Sequence, residues 1–366
     1  MAAGAAPVYH LEKERIYQRY LDISQQKSHQ AYYVWIDGTG EYIRGKTRTC
    51  TGPMEKPSDF PIWNFDGSST GQATGVNSDV FIYPVKVYPD PFRGEPNKLV
   101  LCETYSHEHK PLASNRRHLC EQTMEKVKDQ HPWFGFEQEY TLFEWDGHPM
   151  GWPSHGYPGP EGPYYCGVGT NRVYGRRVVE AHYRAMLYCG LNISGTNAEN
   201  MAAQWEFQVG PCEGVEAGDQ VWMGRYLMHR VSEDFNVVSS FHPKPILGDW
   251  SGAGLHCNFS TESMRGANGM DKIKEAIQQL SKVHQRHIMS YDMLGGEANK
   301  LRLTGLHETS HIDLFTSGVA NREASIRIPR QVFSDGFGYL EDRRPASNAD
   351  PYQVTEAIVR TICLGE

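Results

Sequence analysis

The sequence predicts an α+β protein in two parts: a small β-rich domain, then a larger domain that mixes helices with short strands. Three observations carry that expectation. The chain has 366 residues, long enough for a large core and about two domains. From residue 31 to residue 105 it is dominated by aromatic and β-branched runs bounded by turn residues, which read as strands. From residue 114 the pattern changes to helical segments separated by short strands. The boundary therefore falls near residue 110, giving an N-terminal helical extension over 1–29, a β-rich domain over 30–110 and the larger domain over 111–366.

Taken in order, residues 9–27 read as an amphipathic helix with Leu11, Ile16, Tyr20 and Ile23 as its apolar members. Strands follow in "AYYVWID", "EYIRGKT", "IWNFD", "DVFIYPVKVY" and "KLVLCETY", and "DGTG" between the first two is a hairpin turn signal. Ser114 is placed to cap a helix over "NRRHLCEQTMEKVKD". Further helices are expected near 173–189, 218–235, 270–290 and 352–363. Residues 146–169, "DGHPMGWPSHGYPGPEGPYYCGVG", form a long Pro/Gly loop, of a length that is often functional inside a compact domain.

Composition excludes some partners. The net charge is −8 and no basic run stands out, which argues against nucleic acid or an anionic membrane as the main partner. No stretch of 18 apolar residues is present, so no membrane span is expected. The eight cysteines are scattered with no CxxC pair, as expected of reduced thiols in the cytoplasm. The N-terminus "MAAGAAPVYHLEKER" has neither the basic start nor the apolar stretch of a signal peptide, and it makes a poor transit peptide; a mitochondrial pool stays open.

Two short patterns match well-known motifs out of context. "GEYIRGKT", Gly40 to Thr47, fits GxxxxGK[ST] letter for letter. That phosphate loop needs a helix starting at its lysine, whereas here "RTCTGPMEKP" follows, full of helix breakers. The expected structure is the second arm of a hairpin. "HETSH", His307 to His311, fits the zinc-protease pattern HExxH, which needs both histidines on one helix face. Gly305, Thr309 and Ser310 favour a polar loop instead.

"FGFEQEY", residues 134–140, places Glu137 and Glu139 on one face of an expected strand. At about 7 Å along the backbone and an effective dielectric near 20, their repulsion is about 2 kcal/mol. Solvent or a cation must offset it. Other acidic residues keep similar company: Glu199 in "NAEN", Glu206 between Trp205 and Phe207, and Glu341 in "GYLEDRRP". "GAGLHCNFS" puts His256, Asn258 and Ser260 on one strand face. Five carboxylates and one imidazole could converge on divalent cations, and mostly oxygen ligands suit Mg²⁺ or Mn²⁺. Singly, each glutamate reads better as a rim or ion-pair residue; only Glu137 with Glu139 reads either way by pattern. Arg302, Arg322, Arg327, Arg330, Arg343 and Arg344 lie in nearby segments, and arginine suits bidentate contact with phosphate or carboxylate. Acidic ligands plus arginines fit phosphoryl transfer from a metal-bound nucleotide.

Taken together, "WNFDGSST", "PWFGFEQEYTL", "GWPSHGYPGPEGPYYCGVG", "EAHYRA", "GTNAE", "QWEFQVGPCEG", "GVANREASIRIPR" and "YLEDRRP" resemble glutamine synthetase in its short eukaryotic form, over about residues 30 to 365. The resemblance implies a small β-grasp-like domain beside a catalytic α+β domain with a mainly antiparallel curved sheet. It implies an ATP-dependent ligase joining L-glutamate and ammonia through a γ-glutamyl phosphate, with two or three Mg²⁺ or Mn²⁺ per site and ATP as substrate. A catalytically silent structural relative is the alternative. On this resemblance Glu139, Glu199 and Glu206 would hold one cation, and Glu137, His256 and Glu341 the other. Trp133, Asn258 and Ser260, with Glu137, Glu206, Arg322 and Arg327, would bind ATP. Arg302, Arg322 and Arg343 would grip glutamate, with Asp249, Trp250 and Gly252 lining its site. Asp66 would take the proton from ammonium, reaching in from a neighbouring subunit of a decamer of two stacked pentameric rings. Glu308 would sit on a flap that shuts water out from the acyl phosphate. The sequence departs from the family's usual pattern at Ser251, where asparagine is usual, at Leu301, where arginine is usual, and at Asn200 and Ala202; no metal ligand is lost.

Overall fold

A computed structural model describes residues 15–366. The chain is helical from residue 15 to residue 21 (α1) and then turns, so the expected N-terminal helix ends earlier than residue 27. Its other expected members, from residue 9 through Leu11 to residue 14, lie outside the described residues. Ile16, Tyr20 and Ile23 stand exposed.

The first sheet comprises β1 (Ser28–Ile36), β2 (Ile43–Thr51), β3 (Trp63–Asp66), β4 (Asp79–Pro89) and β5 (Lys98–Tyr105), in the order β2-β1-β5-β4-β3. The central β1–β5 pair is parallel and the other pairs are antiparallel. That order explains the near-continuous apolar runs of β1 and β5. Ala31, Tyr33 and Trp35 pack with Ile82 and Val100 on one face, while Val34, Leu99 and Leu101 join the main core on the other. Strands buried on both faces lose the polar alternation of a half-exposed sheet. β2 is the second arm of a hairpin, with Ile36 opposite Ile43, and Lys46 lies in mid-strand over the Trp63 ring. The segment "GEYIRGKT" is thus no phosphate loop.

The second sheet comprises β6 (Trp133–Glu144), β7 (Ile193–Ala198), β8 (Gln204–Glu213), β9 (Val237–Ser240), β10 (Leu255–Ser260), β11 (Ser317–Val319), β12 (Ile326–Ile328) and β13 (Leu340–Asp342). Its order is β11-β12-β13-β10-β6-β8-β7, with β9 paired to the far end of β6. Only β11–β12 is parallel. The helices are α2 (Arg116–Lys126), α3 (Arg176–Tyr188), α4 (Glu216–Phe235), α5 (Glu262–Arg265), α6 (Gly269–Lys282), α7 (His284–Ser290), α8 (Arg330–Asp335) and α9 (Pro351–Cys363). α4 packs across β8 and against α9, and α9 also meets α2 and α6. Between these helices and the sheet lie Phe136, Tyr140, Phe207, Phe259 and Trp222. The sheet's other face is left for polar side chains.

Two local expectations need correction. The residue that caps α2 is Asn115, whose Oδ1 accepts from the His118 N–H at 3.2 Å; Ser114 Oγ instead meets Gln72. The helix expected over 270–290 breaks into α6 and α7 at Val283, whose φ of −125° leaves the helical region. A β-branched residue that gives up helical geometry there costs little intrinsic propensity. Among the described residues no helix is long and apolar enough to cross a membrane. The eight cysteines are all free thiols.

β13 is anchored from behind. Arg344 and Asp342 are fully buried and share hydrogen bonds at 2.9 Å and 2.7 Å, and Tyr291 Oη donates to the same carboxylate at 2.8 Å. Breaking a buried pair leaves one charge uncompensated. Asp342→Asn is expected to lower unfolding stability by about 3–5 kcal/mol, read as a lower urea midpoint with an unchanged slope.

Candidate active site

The polar face of the second sheet owes its chemistry to strand register. Glu139 lies directly opposite Glu206 on β8, and Glu206 lies opposite Asn197 on β7. Glu137 lies between His256 on β10 and Gln208 on β8. Glu341 on β13 lies between Asn258 on β10 and Arg327 on β12. Directly opposed side chains sit about 5 Å apart, so register alone gathers these groups. Glu199 follows β7 in the turn to β8, and its N–H meets the Gln204 carbonyl at 2.8 Å. All six expected ligands therefore line one cavity of about 150 Å³.

Oxygen and nitrogen atoms of Glu137, His256 and Glu341 lie within 4.8 Å of one another, as do those of Glu139, Glu206 and His256. The first group matches one expected set of three. In the second, His256 stands where Glu199 was expected; the Glu199 carboxylate lies in the same cavity but accepts from Asn197 at 2.8 Å. Burial and the Glu139 charge push the Glu199 carboxyl up to about 8. Burial, then Glu137, Glu139 and Glu199, raise Glu206 well above the usual carboxylate range. Burial, then Arg343, push the His256 imidazole down to about 3, leaving it neutral and able to bind a cation.

Four arginines close the wall. Arg327 and Arg343 each reach Glu341, at 2.7 Å and 2.6 Å, while Arg322 pairs with Glu308 at 3.1 Å. Arg302 is buried, donates to the Arg343 carbonyl at 2.8 Å, and is pushed down to about 10 by burial. It fits only because of two glycines. A Cβ on Gly252 would come within 2.8 Å of Arg302 Cγ, and one on Gly254 within 2.5 Å of its guanidinium. Arg327 Nε is buried with no partner, a donor left aimed without an acceptor.

A second cleft, of about 580 Å³, adjoins the first and shares Glu137 and Gln208 with it. Trp133, Asn258 and Ser260 line it, as do Phe337, Tyr339 and Arg265, which sequence reasoning missed. Arg265 sits 3.9 Å over the Trp133 ring and donates to Ser260 Oγ at 2.9 Å. Gly135 and Gly210 also line the second cleft, where β6 and β8 slip register between Phe134 and Phe136.

Other expected site residues lie apart. Asp66 is exposed at the end of β3, accepts from Ser68 N–H at 3.0 Å and does not line this chain's cavity. Asp249 and Trp250 do not line it either: Asp249 is 92 % exposed and meets His307 at 2.8 Å, and Trp250 packs on Trp152 and Tyr157. Ser251, Gly252 and Glu308 do line it. "HETSH" is a turn, with His307 and Glu308 both in the left-handed region at φ of 51° and 58°, so the two histidines do not share a helix face. Glu161, unsuspected from sequence, accepts from Ser251 N–H at 2.7 Å and from its hydroxyl at 2.9 Å.

The fold and the site define a two-domain α+β enzyme with an acidic, arginine-walled bowl opening from an aromatic cleft. Residues 28–107 match the family model described as glutamine synthetase, beta-Grasp domain, and residues 114–290 the one described as glutamine synthetase, catalytic domain. The chain is 65 % identical over 346 residues to a glutamine synthetase of Panulirus argus, covering 94 % of this chain and 96 % of that one. It is 59 % identical over 366 residues to that of Mus musculus, covering 100 % and 97 %, and 58 % identical over 357 residues to that of Homo sapiens, covering 98 % and 95 %. The chain belongs to the glutamine synthetase family and is a glutamate–ammonia ligase, an enzyme of glutamine biosynthesis.

The raised Glu199 carboxyl has a consequence for stability. Between its ordinary value of 4.5 and about 8, the folded metal-free protein holds a proton that the unfolded chain has lost. Stability from this group then falls as pH rises through that window. Chelated protein should lose melting temperature between pH 6 and pH 8.5 more steeply than Glu199→Gln, and added Mg²⁺ should flatten the slope, as thermal scans at each pH would show.

Proposed function

We propose that this chain makes glutamine in the acidic bowl by way of a γ-glutamyl phosphate, with ATP entering through the aromatic cleft. One observation carries the reading: six ligand-type side chains from five separate segments converge beside a cleft that shares Glu137 with them. Glu137, Glu139, Glu199, Glu206, His256 and Glu341 would hold two or three divalent cations. The donor set fits Mg²⁺ or Mn²⁺, being mostly carboxylate oxygen with one imidazole, and burial beside neighbouring glutamates is what raises Glu199 and Glu206. Such ions supply charge neutralisation for a phosphoryl group in transfer.

The chain's own residues then divide the work. Trp133, Asn258 and Ser260 flank the base of ATP and leave its phosphates pointing past Glu137 and Glu206. Arg322 and Arg327 meet those phosphates, and the unpartnered Arg327 Nε supports that assignment. Arg302 and Arg343 grip glutamate beside Gly252, with Asp249 and Trp250 at the border of that site. Arg322 also reaches the substrate's reacting end. Glu308 shuts the cavity against water, which would otherwise hydrolyse the acyl phosphate. Asp66 takes the proton from ammonium so that ammonia attacks, and it does so from a neighbouring subunit; its exposed place outside this chain's own cavity is in keeping with that.

The assembly is a homo-oligomer, a decamer of two pentameric rings, supported by the apolar Ile16, Tyr17, Tyr20 and Ile23 left exposed. The functional division is a helical extension over 1–29, a β-grasp domain over 30–110 and a catalytic domain over 111–366. The compartment is the cytoplasm, which eight free thiols suit; no nucleic acid or membrane takes part.

Phosphate release from ATP should require Mg²⁺, glutamate and ammonium together, with one glutamine formed per phosphate; release without glutamate, or none at all, would overturn the reading. Glu139→Gln should lower turnover by more than the ~10–100-fold that changes around a metal's ligands cause, with a raised Mg²⁺ requirement. Glu308→Ala should keep ATP binding yet release phosphate in excess of glutamine.

A further inference from the structure

The turn that carries Glu308 is strained. His307 and Glu308 are consecutive non-glycine residues in the left-handed region, where each costs on the order of 1–3 kcal/mol. Such a pair persists only when its surroundings hold it. On one side, Arg322 meets the Glu308 carboxylate at 3.1 Å and Arg343 reaches the Glu308 carbonyl. On the other side stands a set of contacts that no assigned role uses. His307 Nδ1 lies 3.3 Å from Glu161 Oε2, and His307 Nε2 lies 2.8 Å from Asp249 Oδ1. Glu161 in turn accepts both the N–H and the hydroxyl of Ser251.

We propose that Glu161 is a positioning residue for the flap: one carboxylate clasps His307 to Ser251 and so holds the strained His307–Glu308 turn over the cavity. It lies on the long 146–169 loop and joins two other segments, the run leading into β10 and the 304–311 turn. Its two oxygens accept both hydrogen bonds from Ser251, and Oε2 also lies against His307 Nδ1, so one carboxylate bridges the two segments. The serine matters here. Its short hydroxyl turns back to Glu161, and Gly252 beside it keeps Arg302 close. The departure at Ser251 is thereby tied to the lid. Asp249, almost fully exposed, only steadies the outer edge of the imidazole.

The inference rests on the flap role given to Glu308, and its test has an arm that does not. In Glu161→Ala, amide exchange of residues 304–311 should quicken by about ten-fold, the loss of one charge-assisted hydrogen bond, while exchange in β6 and β8 stays as in the parent. In the same variant the KM for glutamate should rise more than kcat falls, and phosphate should be released in excess of glutamine. Glu161→Gln, which keeps an acceptor for Ser251, should restore part of both effects. Unchanged exchange at 304–311 overturns the clasp whatever the activity. Quickened exchange with phosphate and glutamine still released one for one keeps the clasp and overturns the flap role of Glu308. Quickened exchange throughout β6 and β8 would show a general loss of fold and overturn the assignment to the flap.

Discussion

Everything in this molecule's chemistry depends on the register of β6 between β8 and β10. A shift of one residue would send Glu137 and Glu139 into the helix-packed core and bring Phe136 and Gln138 to the cavity. Register is fixed from behind, because Phe136 and Tyr140 are buried among Phe207, Phe259 and Trp222. Gln138, also on the buried side, is locked by Arg225 at 2.8 Å and by the Ser347 carbonyl at 3.0 Å. Apolar packing on one face thus dictates an unfavourable crowd of like charges on the other. The crowding is visible in Glu206 and Glu199, whose carboxyls burial and neighbouring glutamates raise. A fold that spends packing energy to hold carboxylates together has built a cation site, or has left an error uncorrected. The adjoining arginines and the cleft that shares Glu137 favour the first.

Much of this was legible in one dimension, because the strands announce themselves. Glu137 and Glu139 flanked by aromatics, Arg327 between Ile326 and Ile328, and His256 alternating with Leu255 and Cys257 all show period-two patterning. Sequence could say that each segment had a polar face. It could not say that five such faces meet, since cross-strand neighbours such as Glu137 and His256 are 119 residues apart. The parallel pairing of β1 with β5 was hidden for the same reason. Arg265 and Tyr339 sit at the ends of short elements with no periodicity to mark them. Glu161 lies in a Gly/Pro loop, where only the loop's length hinted at use. The split between α6 and α7 escaped because Val283 fits either helix by pattern alone.

The two misleading motifs share a lesson about context. "GEYIRGKT" has the letters of a phosphate cradle, but its lysine lies in β2 opposite Tyr33, and no helix N-terminus follows to add backbone N–H donors. "HETSH" has the letters of a zinc helix, but left-handed φ at its first two residues sets the side chains in different directions. Both false readings fail on backbone conformation, a property that residue spacing does not encode.

The two halves of the site are held unequally, and the difference follows from which side chains lie behind each. β13 and the residue after it bring Glu341 and Arg343 to the cavity, while Asp342 is held by the fully buried Arg344 and by Tyr291. His287 reaches the same tyrosine at 2.7 Å and Thr361 of α9 at 2.8 Å, so the strand is tied to two helices. The 304–311 turn is held differently, with one buried hydrogen bond at its far end, between Ser310 and Ser325 at 3.0 Å. At its tip the contacts are partly exposed, the ion pair of Arg322 with Glu308 and the contacts of His307 with Asp249 and Glu161, and such contacts hold weakly in water. On the flap role proposed for Glu308 that inequality has a use: groups that set charge stay fixed, while the group that excludes water lets substrates pass. Buried hydrogen bonds give the first property and half-exposed ones the second. The strained left-handed pair sharpens the contrast, since a turn under strain reopens once its few polar contacts let go.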